Sequence, residues 1–335
     1  MNATEARIEP DSIRTRTRLL SADAPVAGLH FLGETAALAL GEAKVLLAGP
    51  GEERLIDAHA GAILCCAGDG KRIVTGDDDG KVVAIDASGA PQIIAADAKR
   101  RWIDRLALGP GGALAWSAGR QVFAQVGGGE PRELEVPSSP GGLAFAPKGL
   151  RLAVTHYNGV TLWFPSAQAS PETLTWKGSH LGVAFSPDGR FLLTAMQEPM
   201  LHGWRLADRK DMRMSGYSAK IKSMDWTADG RWLATSGSEQ LILWPFQGKD
   251  GPMGKAPRML APYPARVAVV ACHPAQDIVA TGFEDGLVLL VRIGDGAEIV
   301  ARRAAQTPIT ALAWNQSGSM LGFGDENGAA GLISL

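Results

Sequence analysis

The sequence predicts an all-β protein: a β-propeller of eight four-stranded antiparallel blades, with seven blades as the alternative count. Three observations carry this. Strings such as Phe185-Ser186-Pro187-Asp188-Gly189-Arg190-Phe191 recur at intervals of 35 to 46 residues, a period that belongs to propeller blades. Thr35, Gly70, Gly112, Gly149, Gly189, Gly230, Gln276 and Gly318 fall in one column of the alignment, after each first strand. Finally, Asp79-Gly80, Asn158-Gly159, Asp285-Gly286 and Asn327-Gly328 share a second column, between the second and third strands of their repeats. Such dipeptides are the strongest short hairpin signal and predict type I′ turns.

The unit is legible in Leu181 to Leu206. Val183 and Phe185 alternate with Ala184 as a half-buried strand does. Pro187-Asp188-Gly189 is a turn, with Pro holding φ and Gly free to take the positive side. Phe191 to Thr194 is the second strand, and the third ends at Trp204. Pro171 to Trp176 and Arg209 to Met214 flank this core as outer strands. First strands recur around Leu29, Leu64, Leu106, Leu143, Val183, Met224, Val270 and Leu312. The repeat at Val26 to Ala48 is the most degenerate, which is what keeps seven blades in play. The last repeat lacks an outer strand, and Ile13 to Leu20 alternates as such a strand should, so it is expected to close the ring. The whole chain, 1–335, then reads as one propeller domain, with 1–24 as an N-terminal segment and 25–335 as repeats.

At the third-strand positions the chain reads Ile85-Asp86, Trp163-Phe164, Trp204-Arg205, Trp244-Pro245 and Val291-Arg292. With the period and the hairpins, these residues resemble the WD-repeat β-propeller family over about residues 25 to 335, although Trp-Asp never appears intact. The resemblance implies a buried network of a loop His, a strand Ser/Thr, a hairpin Asp and a Trp. The second repeat supplies His59, Thr75 and Asp79, with Ile85 in place of the Trp.

Composition narrows the function. A net charge of -2 with acids and bases interspersed argues against a nucleic-acid or anionic-membrane surface. No apolar run is long enough to span a bilayer, and the first 25 residues have no secretory h-region. Three cysteines without framework spacing fit a reducing, cytoplasmic setting. Cys66 and Cys272 share a core column with Phe31, Phe145, Phe185, Trp226 and Trp314, and are expected to be fillers. The six histidines lack metal-ligand spacing, Asp77-Asp78-Asp79 reads as a solvated hairpin, and there is no nucleophile elbow. No metal, cofactor or catalytic constellation is expected.

What remains is a surface. The resemblance implies a partner site on the face where the loops before each first strand and the second-to-third-strand hairpins open together. Its candidates are Trp102, Asp104, Tyr157, Met200, Lys220, Lys222, Arg266 and Phe283, with His156, Met196 and Glu198 nearby. Ile103 shares the inward column of Val26, Ile221, Val267 and Ile309, so Trp102 should point outward. The expected function is a monomeric, non-catalytic scaffold that binds a protein or peptide there. A propeller hydrolase or lactonase, or a small-molecule sensor using the central channel, is the alternative. Against the enzyme, the inner-strand column offers only His30, Cys65 and Asp225 among alanines.

Overall fold

A computed structural model describes residues 13–335. Short antiparallel strands account for nearly all of its regular structure, each repeat running from an innermost first strand outwards. Hydrogen-bonded strands form seven sheets among the described residues, six of four strands and one of six. The count is therefore seven, the alternative number, and the eight separate blades are corrected. The departure lies elsewhere than the degenerate first repeat, which makes an ordinary sheet of Val26–Leu32, Thr35–Leu40, Lys44–Ala48 and Glu53–Asp57.

The fourth and fifth repeats are the ones that merge. Glu172–Phe185 is one continuous strand: Glu172 to Thr175 pairs with Leu162 to Gly159, and Gly182 to Phe185 pairs with Ala195 to Leu192. Extended backbone thus runs from the outer edge of one repeat to the inner position of the next, where a loop intervenes elsewhere. The other shared strand, Leu152–Trp163, doubles back at Asn158 and Gly159, with φ of 67° and 151°. His156 Nε2 accordingly lies 2.9 Å from Thr161 Oγ1, five residues on.

Blades meet through apolar side chains, and the clusters lie between repeats. Leu29, Phe31 and Leu38 of the first repeat pack with Ala311, Ala330 and Leu332 of the last. A column of second-strand glycines makes room for this. A Cβ on Gly76 would stand 2.6 Å from Ile103, one on Gly282 2.7 Å from Ile309, and one on Gly324 2.5 Å from Val26. Each β-branched residue belongs to the following repeat, and the last of the three contacts joins the end of the ring to its beginning.

The closing strand is Thr17–Ser21, which pairs antiparallel with Ala329 to Ile333. It is shorter than the stretch read from sequence. Ile13–Arg16 is a 3₁₀ turn that seats Ile13 against the apolar cluster shared by the last two repeats. Arg18 extends sideways to Glu53 at 3.1 Å, and the Ser21 N–H donates to the same carboxylate, tying the last sheet to the first. Deleting residues 1–21 removes this ladder and buried Leu20, and is expected to cost several kcal/mol. A melting temperature within about two degrees of the intact chain would overturn that role. A Gly324→Ala variant tests the packing at the same seam, where crowding of Val26 should cost about 1–3 kcal/mol in chemical denaturation.

Candidate functional site

Loops and hairpins interlock at one end of the ring. The Asp97 N–H donates to Gly80 O at 2.7 Å, Gly141 N–H to Thr155 O at 2.9 Å, Ala219 N–H to Gly237 O at 3.0 Å, and Glu326 N–H to Pro308 O at 3.1 Å. In each pair one partner precedes a first strand; the other belongs to a second-to-third-strand hairpin or, for Thr155, to the end of the second strand just before it. This end carries most of the residues singled out from sequence.

Trp102 is 64% exposed while its neighbour Ile103 is fully buried, as the alternation requires. Tyr157 is 55% exposed, its N–H held by Ser138 Oγ at 2.9 Å. Lys220 and Lys222 are exposed on the loop entering the sixth repeat. Arg266 is half-buried and pairs with Glu284 at 2.8 Å. Asp104 accepts from Ser117 Oγ at 3.1 Å and lies 3.4 Å from Arg105 Nη1. Met200 is half-buried, its sulfur 4.0 Å from Arg213 Nη2. Phe283 must be corrected: it is fully buried, its ring 5.0 Å from that of Tyr263 and 66° to it, so it packs in the core. Met196 and His156 are buried as well, for their strands turn them into the blade interface.

Beneath this end lie the polar networks that order the loops. In the second repeat the buried aspartate is Asp77, where the sequence reading had Asp79. His59 Nδ1 is 2.8 Å from Asp77 Oδ2, and Nε2 is 2.7 Å from Thr75 Oγ1. Burial lowers the His59 pKa although Asp77 opposes it. Asp77 also accepts from the Asp79 and Lys81 N–H groups at 3.1 and 2.7 Å, which holds the hairpin. Asp325 repeats this on Asn327 and Ala329 N–H, at 3.0 and 2.8 Å, with Arg302 in place of the histidine at 2.7 Å. Only the glycines of three of these hairpins, and both Asn158 and Gly159 in the fourth, have positive φ. Type I′ turns are therefore not what Asp79-Gly80, Asp285-Gly286 and Asn327-Gly328 form.

The sixth repeat builds a different relay. Trp244 Nε1–H donates to the Tyr217 hydroxyl at 2.7 Å, Tyr217 bonds Thr235 Oγ1 at 2.8 Å, and Thr235 donates to Ile242 O at 3.2 Å. Burial raises the Tyr217 pKa to about 12, so the hydroxyl stays protonated. Sequence reading missed this network, yet its signal was present. His59, Tyr217 and Tyr263 each stand four residues before an inward apolar residue: Ile63, Ile221 and Val267. In the fifth repeat His180 bonds Thr194 at 2.8 Å, and His202 stacks on Trp176 with centroids 4.0 Å apart. Burial lowers the His202 pKa to about 3, keeping its imidazole neutral.

Along the channel wall, Asp225 bridges the sixth and seventh repeats. Its carboxylate accepts from Trp226 N–H at 2.8 Å and Cys272 N–H at 2.7 Å. Beside it, Ser223 Oγ accepts from Val270 N–H at 3.1 Å. Burial pushes the Asp225 pKa up to about 6 and that of Cys66 to about 12, and also raises those of Cys65 and Cys272. Cys65 Sγ donates to Ile103 O at 3.2 Å across a blade interface. Among the described residues no group of three or more His, Cys, Asp or Glu side chains is placed to hold a metal ion. No helix there is long and apolar enough to cross a membrane.

The fold and these networks define a propeller of the kind built from WD repeats. Comparisons by sequence and structure point the same way: models of WD-repeat domains match three stretches of the chain, and the structure is a WD-type β-propeller. The family model described as WD domain, G-beta repeat matches residues 52–86 and 210–244, the segments that hold the His59 and Tyr217 networks. The model for the anaphase-promoting complex subunit 4 WD40 domain matches residues 270–335. No curated protein matches by sequence. Among solved structures, the computationally designed Ika8 protein superposes with a TM-score of 0.75 at 15% identity, covering 93% of this chain and 97% of that one. The β-propeller domain of Cps50 (Swd1) from Myceliophteria thermophila gives a TM-score of 0.65 at 16% identity, covering 83% of this chain and 98% of that one. At these identities the likeness concerns the fold.

Tyr217→Phe strands the buried Trp244 N–H, and should cost about 1–3 kcal/mol in chemical denaturation. Asp225 gives stability a pH dependence of defined sign. The folded protein holds this proton more tightly than the unfolded chain, whose aspartate titrates near 3.8. Its contribution is complete at low pH and is lost as pH rises through about 6, a change on the order of 2–3 kcal/mol. Relative to wild type, Asp225→Asn should therefore gain melting temperature between pH 4 and about 7. A difference independent of pH would show that Asp225 does not titrate in this way.

Proposed function

We propose that this propeller is a non-catalytic scaffold that binds a protein or peptide at the end where its loops and hairpins interlock. The observation that carries the reading is Trp102. Its indole stands largely in water on a loop pinned from both sides, by buried Ile103 and by the Asp97–Gly80 hydrogen bond. Exposed aromatic surface on a rigid support is the usual anchor of an interface hot spot. Tyr157 of the fourth repeat, Lys220 and Lys222 of the sixth, and half-buried Arg266 of the seventh extend the face around the ring. WD-repeat propellers as a class serve as interaction platforms, and the cytoplasm is the setting that the cysteine usage suits. The channel offers a poorer site for chemistry, since Asp225 and Ser223 are engaged with backbone N–H groups of the next repeat.

A photo-crosslinking amino acid placed at Trp102 should capture a discrete partner in cells, while the same group at Lys148, on an exposed turn at the other end, should not. Trp102→Ala should leave the melting temperature unchanged and weaken that partner by about 2 kcal/mol or more. Equal capture from both positions would defeat the assignment of this face.

A further inference from the structure

We infer that the partner segment is acidic and lies over the third to sixth repeats; the inference rests on the interaction end proposed above. At that end the charges left without an opposite partner are segregated. Lys99, Lys177, Lys220 and Lys222 are exposed there and make no ion pair among the described residues, whereas the neighbouring arginines do. Arg100 is held by Asp79, Arg101 by Asp97 at 2.6 Å and Arg105 by Asp104. Among the described residues, Glu198 and Glu239 are the carboxylates without an ion pair on the loops and hairpins of this sector, where Glu239 accepts from Ser218 Oγ at 2.9 Å; Glu133 lies on an outer strand, near Arg101.

Across the ring the sign reverses. The loops and hairpins of the last two and first two repeats present Asp23, Glu42, Asp78, Asp285 and Glu326, with Arg303 as a cation that makes no ion pair among the described residues. Trp102 and Tyr157 both stand in the lysine-bearing half. One half of the face thus combines exposed aromatic surface with unneutralised positive charge, and the other is acidic. An anionic segment with an apolar side chain is drawn to the first half and repelled by the second. Complementarity of this kind sets orientation and association rate more than final affinity. Lysine suits the task, because its ammonium is a compact point charge that adapts to carboxylates in varied positions.

The test uses the full chain and three fluorescein-labelled twelve-residue peptides that share one central Leu-Trp pair. Their remaining positions are Asp/Glu, Asn/Gln or Lys/Arg, and binding is followed by fluorescence anisotropy at low and moderate salt. The acidic peptide is expected to bind about tenfold or more tighter than the neutral one, and to lose most of that advantage as salt rises. The double variant Lys220→Glu, Lys222→Glu should abolish the preference, Trp102→Ala should weaken acidic and neutral peptides alike, and Lys148→Glu should change neither. Melting temperatures equal to wild type establish that the variants are folded. Acidic and neutral peptides bound equally, and both sensitive to Trp102→Ala, would overturn the charge assignment and leave the interaction end standing. Binding indifferent to Trp102→Ala would overturn the end itself. Failure of all three peptides to bind at millimolar concentration would overturn the acidic-partner inference.

Discussion

Close approach between successive repeats is the constraint on which this molecule depends. The backbone at Gly76, Gly282 and Gly324 leaves no space for a side chain because Ile103, Ile309 and Val26 of the next repeat occupy it. Three of the inner-strand junctions thus use one device, a second-strand glycine receiving a β-branched residue. In a ring, each such contact constrains all the others, because its two ends must meet. Here they meet at Gly324 and Val26, with Thr310 Oγ1–H donating to Val26 O at 2.6 Å and Arg18 reaching Glu53. The closing strand does not merely cap an edge: it occupies the outer position in the sheet that makes this last contact.

Apolar packing sets the distance between blades, while buried polar groups set the loops. An unpaired polar group in a water-poor interface costs free energy, so each hairpin must find internal acceptors for its N–H groups. Asp77 and Asp325 meet the need with one carboxylate that serves both the turn and a second partner, the imidazole of His59 on the incoming loop or the guanidinium of Arg302 on the preceding outer strand. The sixth repeat substitutes a hydroxyl relay, and in the seventh Tyr263 donates to Asp285 at 2.8 Å across buried Phe283. The chemistry differs from repeat to repeat, but the geometric task is constant: to lock the loop before a first strand against the neighbouring hairpin.

The same distinction explains what could be read from the chain. Period, turn glycines and alternation report local backbone geometry, so the strands and the closing segment were legible. The orientation of Trp102 followed from Ile103 in the same way. Merging of the fourth and fifth repeats was not legible, since it depends on whether extended backbone continues through Lys177 and Gly178, and no local signal marks that. Phe283 misled for a related reason. It occupies the position that Asp77 holds in the second repeat, where an aromatic packs inward instead of hydrogen-bonding, and a hairpin location alone suggested exposure. The networks were recoverable from the ring-bearing residues four places before Ile63, Ile221 and Val267. Histidine alone marks that place in the family pattern, whereas the sixth and seventh repeats carry Tyr217 and Tyr263 there.

Degeneracy of the repeats then acquires a physical meaning. Once glycine–aliphatic contacts and loop locks hold the ring, the residues that top each loop are released from structural duty. They can differ between repeats without cost to the fold. Ile103 and Asp97 carry the structural requirements of the loop entering the third repeat, which leaves Trp102 and Lys99 exposed on it. On the loop entering the sixth repeat, Tyr217 and Ile221 are buried and Lys220 and Lys222 are not. Alternation between a locked residue and a free one is what lets one half of this end become aromatic and basic while the other half becomes acidic. An asymmetric surface on a nearly symmetric scaffold is therefore a direct consequence of how each loop is fastened.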